Sequence, residues 1–562
     1  MNKMIKKNNI LGALILLLAF LLVSFSMVRN TGSDPCATLL VTESILTHRT
    51  IKLDHYGQEA LQPYGSVHQK NGHYYYLFPI GTSIASIPFV ALANAWGLRM
   101  LQSEPAVQTG IASVTAILTL IFFIKLARIF LAPLGALLIS GVFWFGTSLA
   151  STSGTALWSH NFATLFALLA IYSSIKATKD GNNKYWLLIA ISLFSAYLCR
   201  PTMALLAPFV LLFLFTYNKK AAFKSSALLA SLIACFVGFS HHEFNQFLPD
   251  YYLPKRLAGG RFSEALYGNL LSPARGLLIY SPFILFAWLC FRDSTKEFKL
   301  KASWLLIGVA WPIMHLIVIS RFPQWWAGHS FGARLMTDVL PGLFLLTIRT
   351  WPVAPRSARS KIGIMILVAS TAFAVYVNSY QGLFNQYTQQ WNGEPNIDRY
   401  PEYLFDWEYP QFMHNWKTHE SRLIQHGIKL LPSISPAEVF SHTTDKVLFI
   451  DWSGAESTHR WSSGKSAKIF FVLSNQEKPH FKGEFFMRAG SLGKQRLDVY
   501  LNDLKIYDGQ LNALDESLNI TFDPSLLKEG GNSLRFDLPD AQQPGTSDTH
   551  VLALAIKSFS LR

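Results

Sequence analysis

A group of polar and aromatic residues precedes one apolar segment, in the stretch WWAGHSFGARLMTDVLPGLFLL that runs from residue 325 to residue 346. Polar side chains in or near a bilayer are costly, and they usually mark a pathway or a site. Trp325, Trp326 and His329 offer rings that pack against a ligand, and Arg334 offers a planar fork of donors that pairs with phosphate. The stretch is therefore a candidate for binding a phosphate-bearing ligand.

Two more arginines stand at the ends of apolar segments, Arg200 in LCRPTM and Arg275 in LLSPARGLLIYSP. One such arginine alone most often extends to a lipid phosphate, but three on one face favour a shared role in phosphate binding. His160, in LWSHNF, is either a hydrogen-bonded histidine at a helix end or a polar contact to a substrate. For the tryptophans, the alternative is an interfacial belt.

Candidate carboxylates come from the polar stretch after the first apolar run, TGSDPCATLLVTESILTHRTIKLDHYGQ. Asp34 stands a few residues beyond that run, so it is held near the membrane surface, and Asp54 comes twenty residues later. A loop carboxylate is usually just solvated, and Asp34 alone would carry little weight. Asp338 is predicted to pair with Arg334, four residues earlier on the same helix.

The composition indicates an integral membrane protein. Of 562 residues, 50% are hydrophobic and only 15% are charged, against about 25% charged in average soluble domains. The net charge of +15 lies in short clusters between apolar runs, which fits membrane topology better than nucleic-acid binding. Four cysteines, three of them in or beside apolar runs, imply no disulfide framework.

Windowed hydropathy predicts the membrane spans. About eleven are expected, near 10–28, 106–131, 134–153, 157–176, 185–199, 201–218, 224–242, 275–291, 303–320, 335–350 and 361–379. With the N-terminus inside, basic clusters such as Lys176 to Lys184 and Arg292 to Lys301 fall in the inside gaps. The first run is predicted to be an uncleaved anchor, with a cleaved signal peptide as the alternative.

Since successive gaps between spans alternate between the inside and the outside, this assignment determines which loops face outward. The outer face would hold the loops near 29–105, 243–274 and 321–334 and everything after about 380. The apolar run from Ile80 to Trp96 is predicted to be an interfacial or re-entrant helix, because a span there would put every later basic cluster outside.

The chain changes character towards its C-terminus, where short β-like runs alternate with turn signals such as Asn502-Asp503 and Gly530-Gly531. We predict a membrane domain over 1–385, a linker over 386–436 and a β-sandwich over 437–562. A jelly roll and an immunoglobulin-like sandwich both remain open for this last domain.

Taken in order, several of these motifs resemble those of a known family. The set includes SDPCATLLVTESILTHRTIKLD, GHYYYLFPIGTSIASIPF, LWSHNF, CRPTMALLAP, LLSPARGLLIYSP, WWAGHSFGARLMTDVLPGL and WNGEPNIDRYPEYLFDWEYPQF. The chain resembles the GT-C class of membrane glycosyltransferases, near the bacterial family 39 and dolichyl-phosphate-mannose-type transferases. These use sugars carried on polyprenyl phosphate, and their acidic catalytic residue follows the first span.

The resemblance implies roles for residues of this chain. Asp34 matches the acidic position and would be the catalytic base, with Arg334, Arg275 and Arg200 as donor phosphate ligands. The remaining candidates would contact substrate: Trp325, Trp326, His329, His160, Tyr74 and Asp54. Relatives often have a second carboxylate beside the first, where this chain has Pro35. That departure leaves a divalent metal open rather than implied.

The same resemblance sets expectations for partners and place. The donor would be a polyprenyl-phosphate-linked sugar, the acceptor a glycan or lipid, and the reaction inverting, with membrane lipid around the protein and no nucleic acid involved. The chain would lie in a bacterial inner membrane, with a periplasmic C-terminal domain that resembles carbohydrate-binding modules.

Two other functions were weighed against this one. A transporter or flippase for lipid-linked or anionic solutes should carry mid-membrane polar residues on broken helices, often in internal repeats, and the sequence shows neither. A membrane anchor for an adhesin-like sandwich leaves the polar span ends unexplained.

Overall fold

The computed structural model describes residues 2–29, 32–179, 184–285, 302–350, 358–512, 515–544 and 551–562. The chain divides into two compact units, Met1–His414 and Asn415–Arg562. The division between the units falls inside the stretch predicted as a linker, 386–436, so the first unit includes its residues up to His414. Buried Trp391, for example, donates a hydrogen bond to the carbonyl of Tyr409 at 2.8 Å.

Helices build the first unit. Those of nine or more residues are Asn2–Ser24, Thr38–His48, Ile87–Ala95, Met100–Ala127, Pro133–Phe145, Ser159–Lys179, Tyr185–Cys199, Leu206–Tyr217, Lys219–Phe244, Phe262–Leu271, Trp311–Ile319, Leu340–Thr350 and Ala358–Val375. Shorter ones are Gln58–Leu61, Gly81–Ala85, Ser148–Ser151, Leu277–Tyr280, Ala302–Leu305, Gly382–Phe384 and Tyr387–Gly393.

Within the described residues, 3 helical segments are long and apolar enough to cross a membrane. These are Met100–Ala127, Lys219–Phe244 and Lys361–Phe384, and the last includes a π-helical turn over Tyr376–Gln381. Other predicted spans coincide with shorter apolar helices such as Tyr185–Cys199. The later part of the predicted span 275–291, and the basic residues from Arg292 to Lys301, lie outside the described residues.

The predicted interfacial helix is two short helices, Gly81–Ala85 and Ile87–Ala95. Gly81 packs against the end of the helix Tyr185–Cys199, where a Cβ on it would lie 2.3 Å from the backbone nitrogen of Cys199. No side chain fits there, so the glycine allows this close approach. The contact ties the loop near 29–105 to the helix end that precedes Arg200.

That loop also contains a hairpin of two strands, β1 (Val67–Lys70) and β2 (His73–Tyr76). Its helix Thr38–His48 begins against Glu104, which accepts hydrogen bonds from the backbone nitrogens of Ala37 (3.2 Å) and Leu39 (2.8 Å). A carboxylate at a helix N-terminus satisfies free donors and complements the helix dipole. This cap fixes the segment directly after Asp34.

The second unit is rich in strands. They are β3 (Val439–Ser441), β4 (Leu448–Ile450), β5 (Arg460–Trp461), β6 (Ser466–Leu473), β7 (Glu484–Ser491), β8 (Gln495–Leu501), β9 (Leu504–Leu511), β10 (Glu516–Thr521), β11 (Gly530–Asp537) and β12 (Leu554–Leu561). One sheet has the order β10-β7-β12-β3, with β5 also paired to β12, and the other has the order β4-β6-β11-β8-β9. All the strand pairs are antiparallel.

Alternation places one face of each sheet in a shared apolar cluster. Leu497, Val499 and Leu501 of β8 belong to it, as do Phe485 and Met487 of β7. The helix Trp416–Leu430 also belongs to this unit, where a Cβ on Gly427 would meet the side chain of Leu448 at 2.7 Å. The second half of the predicted linker is therefore packed structure too.

Candidate active site

Asp34 lies in the short connection before the helix Thr38–His48, and its side chain is only 4% exposed. Its main-chain carbonyl accepts hydrogen bonds from Thr38 Oγ1, at 2.8 Å, and from the hydroxyl of Tyr76. Because Tyr76 belongs to β2, the hairpin and the helix together fix the position of Asp34.

The Asp34 carboxylate is surrounded by donors. Its Oδ2 lies 3.1 Å from Arg334 Nη2 and 3.8 Å from Arg200 Nη1, and it accepts a hydrogen bond from Ser159 Oγ at 3.0 Å. Burial raises the pKa of Asp34, but the charges of Arg334 and Arg200 outweigh burial and hold the pKa below its ordinary value. Asp34 is therefore ionised at neutral pH.

Arg334 reaches Asp34 from the end of the 321–334 loop. Its Nη1 donates to the carbonyl of Ala327 at 3.2 Å, and its guanidinium carbon lies 3.7 Å from the centroid of the Trp158 ring. The Nε atom is buried and has no hydrogen-bond partner among the residues that the structure describes. Arg334 is thus held in place but keeps donor capacity.

A glycine makes this approach of the loop feasible. Gly332 has a φ of +62°, and a Cβ there would lie 2.7 Å from the ring of Tyr280. Both the left-handed backbone and the lack of space require glycine at this position.

Arg200 comes from the opposite direction, at the end of the helix Tyr185–Cys199. A residue before proline is pushed out of helical geometry, and Arg200 before Pro201 has φ −149° and ψ 120°. Its Nε donates to Asp338 Oδ2 at 2.8 Å and its Nη1 to Ser159 Oγ at 3.0 Å. The proline therefore directs Arg200 between two carboxylates.

Asp338 is fully buried and does not pair with Arg334 as predicted. Its Oδ1 lies 2.7 Å from His160 Nδ1, and its Oδ2 is bound by Arg200. The prediction assumed an α-helix, but Arg334–Val339 is a 3₁₀ helix. Three residues per turn place positions i and i+4 on different faces, so Arg334 faces Asp34 instead.

These residues form one connected group, which we call the Asp34 cluster. Its members are Asp34, Ser159, His160, Arg200, Arg334 and Asp338. Two carboxylates and two guanidiniums balance in charge. Ser159 was not among the predicted site residues, although it is adjacent to His160, and the partner of Asp338 is Arg200 rather than the predicted Arg334.

Arg275 is not part of this cluster. It is 2% exposed, and all five of its N–H groups donate to oxygens of the protein. A guanidinium with every donor occupied has none left for phosphate. Phosphate binding by Arg275, as predicted, would therefore require some of these contacts to break.

The two tryptophans have different environments. Trp325 is 1% exposed, and its Nε1 donates to Glu264 at 3.2 Å. Trp326 is partly exposed and donates to Asp398 Oδ1 at 2.7 Å, while His329 Nε2 lies 3.5 Å from Asp398 Oδ2. Trp326 and His329 are accessible to a ligand, whereas the side chain of Trp325 is buried in this arrangement.

Asp54 and Tyr74 lie together in the loop near 29–105. Asp54 accepts from the backbone nitrogen of Tyr74 at 3.1 Å and contacts His73 Nδ1 at the same distance. In the part of the chain that the structure describes, no hydrogen bond joins either residue to the Asp34 cluster. The structure therefore does not bring these two predicted residues to the site.

A cavity of about 330 Å³ opens beside Arg200. Its lining is mostly apolar and includes Arg200, Leu205, Tyr251, Arg256, Phe322 and Leu335. The guanidinium carbon of Arg256 lies 3.7 Å from the Tyr251 ring centroid, and no described carboxylate is within ion-pair distance of it. We call this space the Arg200 cavity; sequence analysis missed Arg256, which no apolar segment brackets.

The residues present do not fit a divalent metal. Among the described residues, no group of three or more histidine, cysteine, aspartate or glutamate side chains could hold a metal ion. The Asp34 and Asp338 carboxylates already face guanidiniums, which would repel a cation. We therefore derive no chemical step through a metal.

The sequence profile of the dolichyl-phosphate-mannose-protein mannosyltransferase family matches residues 87–242. This range includes Ser159, His160 and Arg200 of the Asp34 cluster. The match confirms the resemblance to membrane glycosyltransferases that was predicted from the motifs. No curated protein sequence matches the chain.

Solved structures also show similarity. ArnT from Cupriavidus metallidurans bound to undecaprenyl phosphate is 12% identical over 76% of this chain and 81% of its own, with a TM-score of 0.42. The Archaeoglobus fulgidus oligosaccharyltransferase, in complex with Zn and sulfate, is 14% identical over 70% of this chain, with a TM-score of 0.44. The arabinofuranosyltransferase AftD from Mycobacteria is 8% identical over 99% of this chain, with a TM-score of 0.40. The alignments span 57% and 58% of these last two chains.

Proposed function

We propose that this protein is a membrane glycosyltransferase that moves a sugar from a polyprenyl-phosphate donor to an acceptor at the outer face of the membrane. The observation that carries the proposal is the buried contact between Asp34 and Arg334, at 3.1 Å, with Arg200 next to it. Such a group combines an ionised base with cations that can hold a leaving phosphate.

The chemistry follows from this arrangement. The acceptor hydroxyl oxygen forms a bond to the anomeric carbon as the bond from that carbon to the phosphate oxygen breaks, and the hydroxyl proton passes to Asp34. The departing polyprenyl phosphate gains one negative charge. Attack opposite the leaving group inverts the anomeric carbon, as expected for the class.

Arg334 connects the two halves of the step. Asp34 loses its negative charge on accepting the proton, at the same time as the phosphate gains one. Arg334 therefore has an anion beside it throughout, and its unpartnered Nε can meet the new charge. Donors fixed where charge develops stabilise the transition state more than the ground state.

The Arg200 cavity offers a place for the lipid end of the donor. Its apolar lining suits an isoprenoid chain, and Arg200 and Arg256 at its wall suit a phosphate. We propose Arg256 as a phosphate contact in place of Arg275. No described carboxylate neutralises the charge of Arg256, whereas every N–H group of Arg275 already donates to an oxygen of the protein.

The remaining predicted contacts divide by exposure. We propose Trp326 and His329, both accessible, as acceptor contacts, and His160 as a buried support for Asp338. We assign no role to Trp325, which is buried, or to Tyr74 and Asp54, which form no described hydrogen bond to the cluster.

Topology and the second unit complete the proposal. We propose about eleven spans in a bacterial inner membrane, with the 321–334 loop and the second unit on the periplasmic side. The two antiparallel sheets and their shared apolar cluster support a β-sandwich, and we propose that it binds carbohydrate. A cysteine at Gly464 should react with an impermeant reagent in cells whose outer membrane is permeabilised, and reaction only after lysis would reverse this topology.

The activity can be tested without knowing the acceptor. Purified full-length protein in lipid nanodiscs is given polyprenyl-phosphate hexose or pentose donors and a cell-envelope extract. Release of polyprenyl phosphate is followed with each donor. We expect release with at least one donor, and none above background for Asp34→Asn. Equal release by the parent and the variant would refute the assignment of Asp34.

A further inference from the structure

Arg275 holds a network of its own, separate from the Asp34 cluster. Its Nε donates to the carbonyl of Trp326 at 2.8 Å, and its Nη2 donates to the carbonyl of Gly328 at 3.1 Å. The other donors bind Ala274 O at 2.9 Å, Gln411 Oε1 at 2.6 Å and Asn392 Oδ1 at 2.8 Å. One buried side chain thus joins four separate segments of the first unit.

Gln411 extends this network along the 321–334 loop. Its Nε2 donates to the carbonyl of Ser330 at 3.0 Å and to that of Thr388 at 2.9 Å. Its Oε1 accepts from the backbone nitrogen of Gly332 at 3.4 Å as well as from Arg275. We call Arg275, Asn392 and Gln411 the Arg275 node.

The loop depends on these outside contacts. Ala327 has a φ of +59°, a left-handed conformation that is unfavourable for a residue with a side chain. Each carbonyl from residue 326 to residue 330 is hydrogen-bonded by a side chain: Arg275, Arg334, Arg275 again, Gln389 and Gln411. Such a conformation persists where its surroundings over-determine it.

The conformation of this loop determines the position of the Arg334 guanidinium. Its Nη1 binds the carbonyl of Ala327, which lies between the two carbonyls that Arg275 holds. Any shift of that carbonyl would move the guanidinium relative to Asp34. Small displacements at a reacting centre cost rate, since catalysis depends on fixed geometry.

We propose that Arg275 is a positioning residue that fixes the 321–334 loop so that Arg334 lies beside Asp34, and that it does not itself bind the donor. This inference rests on the proposed function. It also distinguishes two kinds of arginine that the sequence presents alike.

A double-mutant cycle tests the proposal. Arg275→Lys keeps the charge but cannot make five contacts. We expect it to lower donor kcat/KM by about tenfold or more in the nanodisc assay, because linked residues couple strongly. The double variant Arg275→Lys, Arg334→Lys should be no slower than Arg334→Lys alone, within about twofold. Effects that multiply would overturn the proposal.

A second readout separates positioning from simple loss of folding. Because Arg275 acts through Arg334, Arg275→Lys should move the low-pH limb of kcat/KM in the same direction as an Arg334 variant. Arg321→Lys, the same change at the start of the same loop, should leave both rate and limb unchanged. The proposal would also be overturned if the low-pH limb of kcat/KM did not move in Arg275→Lys and the rate fell only in proportion to the amount of folded protein.

A milder variant covers failure to fold. Asn392→Ala removes one acceptor of Arg275, and the Nδ2 atom lost with it has no described partner. Combined with Arg334→Lys, it should show the same non-additivity, but a smaller one. If the two fold-changes in kcat/KM simply multiplied, the positioning role of the Arg275 node would be refuted. If Arg334→Lys itself left donor use intact, the proposed function would fail first, which is a distinct result.

Discussion

Arg275 and Arg334 are both buried at the ends of predicted spans, yet their donors meet very different partners. Arg275 donates all five of its N–H groups to neutral oxygens of the protein. Arg334 binds one neutral carbonyl and one carboxylate, stacks on Trp158, and leaves its Nε unpartnered within the described residues.

The contrast shows how a structural arginine differs from a chemical one. Burying a charge is unfavourable at both positions, so burial alone does not distinguish the two arginines. The number of donors left available does, together with the nature of the anion nearby. Arg275 organises backbone, whereas Arg334 faces a carboxylate, and in the proposed mechanism it lies where that carboxylate loses charge and a phosphate gains it.

The largest effect is expected at the carboxylate that Arg334 faces. Asp34→Asn keeps the shape but removes the base, and general-base catalysis contributes roughly 10²–10⁴-fold. Transfer should fall by that factor in the nanodisc assay, with the amount of inserted protein unchanged.

A matched control is Asp54→Asn, in the same outer loop. Asp54 contacts His73 and Tyr74 rather than the cluster, so its loss should leave turnover within about twofold. Should Asp54→Asn be the slower variant, the role of base would move to that part of the loop.

The next effect concerns Arg334 itself. Arg334→Lys loses the planar fork, and Arg334→Ala loses the charge as well. One hydrogen bond to a charged group contributes roughly 1.5–3 kcal/mol, which is about 10- to 150-fold in donor kcat/KM. We expect the alanine variant to be the slower of the two.

Parental rates in both Arg334 variants would mean that another arginine holds the phosphate, and the contrast with Arg275 would disappear. Protein yield and thermal unfolding serve as controls, since only a variant that folds bears on the comparison.

A third expectation concerns pH. The charges of Arg334 and Arg200 hold the pKa of Asp34 below its ordinary value, and Asp34 acts as a base only when deprotonated. Arg334→Gln removes one of these charges, so the pKa of Asp34 should rise. The low-pH limb of kcat/KM should then move to higher pH, and an unchanged or lowered limb would separate Asp34 from the rate.

The smallest effect is expected at Arg256, on the wall of the Arg200 cavity. Partly exposed charge pairs contribute about 0.2–1 kcal/mol, so Arg256→Gln should raise the donor KM about two- to fivefold with little change in kcat. Arg321→Gln is the control, because its guanidinium lies over Phe262, away from that cavity. Equal effects from the two variants would argue for general surface charge.

Hydropathy predicts many of the helices, because apolar runs and proline stops are local signals. The break at Arg200, directly before Pro201, is one example, and Asp34 could be selected from its place after the first run. Only the resemblance made Asp34 more than one loop carboxylate among several.

Pairings across the chain could not be predicted in the same way. Asp338 binds Arg200, 138 positions away, and Arg275 binds Gln411, 136 positions away. Tertiary packing determines these partners, and spacing along the sequence does not predict it. Burial of Trp391 inside the stretch predicted as a linker is another example, since its partner Tyr409 is likewise set by tertiary packing.

The most direct measurement is a structure of the full-length protein with a non-transferable phosphonate analogue of a polyprenyl-phosphate sugar. We expect the phosphonate within hydrogen-bond distance of Arg334 or Arg200, the lipid chain in the Arg200 cavity, and the anomeric carbon nearest Asp34. Arg275 should keep its five contacts, two of them to the 321–334 loop. A phosphonate bound at Arg275, or held away from both Arg334 and Arg200, would show that the proposed roles of these arginines are wrong.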